Sequence, residues 1–131
     1  IDRKLKGKLI PPDWTRYMVV DPGHSVCAVL FAAVPPPRYG DHVVCYDELY
    51  LRNCDLEKFG RAVADRASGQ RFYAFIIDDH GSRIRTALSG KTVRQQYSEC
   101  FRDRGVESQV TGYGFIPGSD DVQGRISAVR G

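Results

Sequence analysis

Hydrophobic periodicity changes type along this chain in a fixed order, and that order limits the folds open to it. "RYMVVD" and "VCAVLFAAV" are short apolar runs of strand length, separated by Pro22 and Gly23, and "DHVVCYDELYL" (41–51) is a third, entered from the proline-rich "PPPRYG". Short connections make these three runs neighbours in one antiparallel sheet. The period then lengthens. "DLEKFGRAVADRAS" (55–68) carries Leu56, Phe59, Val63 and Ala67 at helical spacing, with Asp55 placed as the N-cap. "FYAFII" (72–77) is almost continuously apolar, the mark of a central strand covered on both faces. A second helix, 92–104, sets Val93, Tyr97, Cys100 and Phe101 on one side, and Gly105 suits its C-terminal cap.

Three antiparallel strands, a helix, a central strand and a further helix form the element order of a ribonuclease H-like α/β fold. The expected architecture is a mixed central sheet, three antiparallel strands plus parallel strands, flanked by helices. At 131 residues the chain suits one domain with a real core, and 42% hydrophobic with 27% charged residues excludes a disordered tract. A net charge of +3 permits a nucleic-acid partner without demanding one. No apolar run reaches the length of a membrane span and no signal peptide opens the chain, so a cytoplasmic protein without a membrane partner is expected.

The acids fall where this fold would use them. Asp21 closes the first apolar strand, and a charge beside a core calls for a partner such as a metal cation. Asp78 and Asp79 close the fourth strand in the same manner, in "FIIDDHGSR". If strands one and four are parallel neighbours, Asp21 and Asp78 converge at one sheet edge. Asp78 is the better ligand because it continues "FII" directly, whereas alternation turns Asp79 the other way; Asp79 is retained as a candidate. Paired carboxylates hold Mg2+ or Mn2+, hard cations that prefer oxygen, and a two-metal site of this kind serves phosphodiester cleavage. Each acid has a plainer reading: Asp before Pro-Gly is a common turn residue, and Asp79 would cap the segment after the strand. Glu48, within the third strand, is expected to face solvent or make a structural ion pair, and His80 to be neither base nor ligand.

Basic residues supply the nucleic-acid side. Arg83 and Arg85 come just after the acids, Lys91 and Arg94 open the second helix, and Arg125 and Arg130 lie near the end of the chain. Such arginines hold phosphates without reading sequence, although each alone is an ordinary surface charge. Cys27, Cys45, Cys54 and Cys100 show no zinc spacing and are expected to be reduced thiols. The absence of GxxxxGK[ST] argues against nucleotide binding.

In this order, "VVDPGHSVCAVLFAAV", "VVCYDELYLRNCDLEKFGRAV", "FYAFIIDDHGSR" and "GFIPGSDDVQGRISAVRG" resemble the C-terminal nuclease domain of the large terminase subunit of tailed bacteriophages. The resemblance implies an endonuclease that cuts concatemeric double-stranded viral DNA in the host cytoplasm. It implies small terminase subunit and portal protein as partners of the full-length protein, and places the family's acids on Asp21 and Asp78. Residues 1–14, basic and broken by Pro11 and Pro12, have linker composition; the resemblance makes them the linker from a preceding ATPase domain, with 15–131 the nuclease domain. The family's third acid would lie beyond Gly131, since Asp120 and Asp121 read as a helix N-terminus, so the fragment alone is expected to be weakly active or inactive. Two alternatives stay open: a Holliday-junction-resolvase-like nuclease, and a non-catalytic DNA or capsid docking module.

Overall fold

Strand pairing follows the short connections first. The computed structural model describes residues 9–22, 26–40, 42–52, 55–78 and 91–118. In it β1 (Thr15–Asp21), β2 (Val26–Val34) and β3 (Val44–Arg52) form an antiparallel meander. β3 begins three residues later than the sequence suggests. The reason is local: Pro37–Tyr39 make a 3-10 turn, closed by Gly40 at φ 101, a backbone conformation that favours glycine. Ladder pairing then starts with Val44 opposite Ala33, and a bulge at Phe31/Ala32 shifts the register before Asp47.

Among the described residues, two helices and two parallel strands complete the layer. α1 (Leu56–Ala67) starts on Asp55, whose carboxylate accepts from the Glu57 amide at 2.9 Å. β4 (Ala74–Asp78) pairs parallel with β1, and β5 (Ile116–Gly118) parallel with β4, so the strand order is β3-β2-β1-β4-β5. α2 (Val93–Arg104) carries a capping box between Thr92 and Gln95, and ends on Gly105 at φ 69. Among the described residues, no helix is long and apolar enough to cross a membrane.

α1 and α2 pack on one face of the sheet. Met18, Val20, Val29, Phe31, Phe75 and Ile77 point toward them and are fully buried with Phe59, Val63 and Phe101. Phe59 meets Tyr97 edge-on at 5.1 Å, and Phe75 meets Phe101 in the same way at 5.1 Å. The helices approach closely at Gly60, where an added Cβ would sit 2.5 Å from Cys100 Sγ. Val19 and Ile76 form a smaller buried cluster on the other face, with Tyr17, Leu30 and Val43 against it. Both faces of β4 are therefore buried, as its unbroken apolar run requires.

One expectation changes here. Cys27 is disulfide-bonded, while Cys45 and Cys100 are reduced thiols, so the four cysteines are not all reduced. Cys27 is fully buried in β2, and its partner lies outside the described residues. Beside Glu48, its neighbour Asp47 makes a buried ion pair: it is 8% exposed and lies 3.6 Å from Arg66 of α1. Strand alternation decides this, since Asp47 falls on the helix face with Leu49 and Leu51 while Glu48 falls opposite.

Candidate metal centre at the ends of β1 and β4

Parallel pairing is what brings the two acids together. β1 and β4 run in register from Tyr17 opposite Ala74 to Val20 opposite Ile77, and the next residues are Asp21 and Asp78. Adjacent strands lie ~4.8 Å apart, so the backbone holds two carboxylate-bearing residues side by side at the carboxyl ends of both strands. Alternation puts Asp21 on the face opposite the helices, where it is exposed directly after three buried residues. Its charge therefore suffers little burial penalty, contrary to the expectation that the core demands a cation. The case for a metal rests on the second acidic residue beside it.

Asp21 also acts on the core behind it. The Tyr97 hydroxyl lies 3.0 Å from Cys27 Sγ, and because a disulfide sulfur carries no hydrogen, the phenol donates. Burial raises the Tyr97 pKa well above its ordinary value, with further upward pushes from Cys100 and from Asp21. Tyr97 is thus a neutral phenol at physiological pH, a structural donor rather than a base. Cys100 is likewise held as a thiol, raised chiefly by burial, and it donates to the Leu56 carbonyl at 3.1 Å.

Other candidates fare differently. Glu48 is half-buried, accepts from the Tyr50 hydroxyl at 3.3 Å, and pairs in register with Leu30, in the row of Val19 rather than that of Asp21. Two strand spacings, about 10 Å, separate it from β1, so it does not join the acid pair. Lys91 pairs with Glu99 at 2.8 Å. Lys91 and Arg94 border a surface groove of about 380 Å³ that Arg102 and Phe115 also line. Asp79, His80, Arg83, Arg85, Asp120, Asp121, Arg125 and Arg130 lie outside the described residues. A larger groove, about 720 Å³, lies at the other end of β1, lined by Pro11, Trp14, Arg16, Gln70 and Tyr73. Arg16 there donates to Gln70 Oε1 at 3.0 Å and to the Ile10 carbonyl at 3.1 Å.

Two carboxylate residues at one strand edge suit a hard divalent cation by donor type. Among the described residues, no group of three or more His, Cys, Asp or Glu converges on a point. One signal in the sequence went unread: "ELYLR" alternates Glu48, Tyr50 and Arg52 with Leu49 and Leu51, which puts three polar residues on the Asp21 face of the sheet.

A mixed sheet in this order, with helices covering one face and acids at the ends of its two central parallel strands, defines a ribonuclease H-like α/β domain. Among solved structures the chain is similar to the P22 large terminase nuclease domain, with a TM-score of 0.57 at 13% sequence identity. The match covers 89% of this chain and 62% of that one, so this chain spans about three-fifths of the solved domain. No family model and no curated protein matches the chain. At 13% identity the likeness is one of fold, and it agrees with the terminase resemblance read from the motifs.

Proposed function

We propose that this chain is a divalent-metal-dependent nuclease domain acting on double-stranded DNA, and that it is the nuclease part of a viral DNA-packaging terminase. One observation carries the reading: the parallel register of β1 and β4 sets Asp21 beside Asp78. Asp21 and Asp78 would hold Mg2+ or Mn2+ in a two-ion arrangement, with Asp79 as an auxiliary ligand. A cation bound there supplies a polarised water and charge neutralisation at the leaving oxygen.

The chain's own residues have separable tasks. The end of β1 presents Asp21 to solvent on a rigid strand, and the buried, neutral Tyr97 braces the strand ends from the core side. Arg83, Arg85 and Arg125 would hold phosphates. In this reading residues 1–14 are the linker from an ATPase domain and 15–131 the nuclease domain; the small terminase subunit and the portal are partners of the whole protein, which acts in the host cytoplasm.

The test is Mn2+ binding measured by calorimetry. The chain should bind Mn2+, and Asp21→Asn and Asp78→Asn should each weaken binding at least tenfold with unchanged circular dichroism. No binding by the parent chain, or equal binding by both variants, overturns the reading.

A further inference from the structure

Asp21 shares its sheet face with an aromatic and a cation that the metal reading does not use. One row runs across the sheet: Tyr50 stands opposite Ala28, Ala28 opposite Asp21, and Asp78 is next on β4. Leu49 is 6% exposed on the helix side, whereas Tyr50 is 46% exposed on the other. Ala28 contributes only a methyl group, so no bulky side chain of the row stands between the Tyr50 ring and the Asp21 carboxylate. Arg52 lies two residue pairs further along, the next on this face, exposed and opposite the exposed Val26. Among the described residues the Arg52 side chain makes no ion pair or hydrogen bond. The arrangement is thus a guanidinium and an exposed phenol on one strand, Tyr50 two strand spacings, or about 10 Å, from the first acid and Arg52 about 12 Å from it. The Arg52 offset equals about three to four nucleotides of duplex rise at ~3.4 Å each.

Resting on the nuclease reading above, we propose that Tyr50 and Arg52 form a second hold on the DNA backbone, Arg52 on a phosphate and Tyr50 against the adjoining sugar. Guanidinium matches phosphate in charge and in its paired donors, and tyrosine is a frequent backbone contact. A contact to the side of the acid pair fixes the duplex in register while leaving the phosphate at Asp21 open to the cation. Both residues are positioning residues, since neither reaches the reacting atoms. An arginine on an edge strand also discourages edge-to-edge pairing, and the experiment separates the two roles.

The test uses the Asp21→Asn chain as background, which removes one acid's charge and any cleavage, with labelled duplexes of two unrelated sequences titrated at a series of salt concentrations without divalent cation. Arg52→Gln should weaken binding to both duplexes alike and lower the magnitude of the log–log salt slope by about 0.9, one released counterion. Arg52→Lys should keep the slope, because the charge stays. Tyr50→Ala should weaken binding about fivefold, one lost net contact, at unchanged slope. Arg52→Gln with the affinity and slope of the background, or a background that binds no duplex, overturns the proposal. Mn2+ binding by the parent chain reads independently: if Mn2+ binds while Arg52→Gln is silent, this inference fails and the metal reading stands; if Mn2+ does not bind while the slope falls, the reverse holds.

Discussion

Neutralising Asp21 should make the metal-free protein more stable while removing its response to metal. The register places Asp21 next to Asp78 on parallel strands ~4.8 Å apart; two unit negative charges separated by about that strand spacing would repel by about 0.8 kcal/mol at the dielectric of water and about 3 kcal/mol at an effective dielectric of 20. Asp21 is exposed, which sets the magnitude near the lower figure, about 1 kcal/mol at low ionic strength. For a chain of 131 residues that corresponds to a rise in Tm of about 4 °C for Asp21→Asn in EDTA. Mn2+ at a hundred times its Kd should raise the parent protein by about 2.7 kcal/mol, or roughly 10 °C, and leave the variant almost unmoved. Scanning calorimetry in EDTA and in Mn2+ measures both quantities. A variant that melts several degrees below the parent in EDTA would show that Asp21 is a structural cap, and an equal Mn2+ shift in both proteins would place the metal elsewhere.

Arg66→Ala should destabilise the fold by about 3 kcal/mol in urea titrations, because it removes the cation that faces the buried Asp47 carboxylate; Asp47→Leu combined with Arg66→Met should recover most of the loss. Stability should fall at alkaline pH: burial raises the folded-state pKa of Tyr46 and Tyr97 above the ordinary value of about 10, so their contribution is complete below pH ~10 and is lost as pH climbs through the raised values. Urea midpoints for Tyr46→Phe should show a shallower alkaline decline than the parent, and an identical profile would refute this.

Local pattern alone determined the elements of this protein. Period-two and period-3.6 spacing, Asp55 as a helix cap and Gly105 as a helix stop depend on residues within a turn or two of each other, so three strands, a helix, a buried strand and a second helix could be read in order, with Asp21 and Asp78 recognisable as strand-end acids. Tertiary structure decided what those ends do. The adjacency of Asp21 and Asp78 exists only because β1 and β4 pair across a long stretch of chain, an alignment that no local spacing encodes. The same applies to the β3 acids: a bulge sets the phase of alternation, which sends Asp47 inward to Arg66 and leaves Glu48, Tyr50 and Arg52 on the Asp21 face. Cys27 looked like any small core hydrophobe; its disulfide needs a second sulfur delivered by the fold. Local chemistry names the groups, whereas strand register, a property of chain segments far apart in sequence, sets which groups share a site.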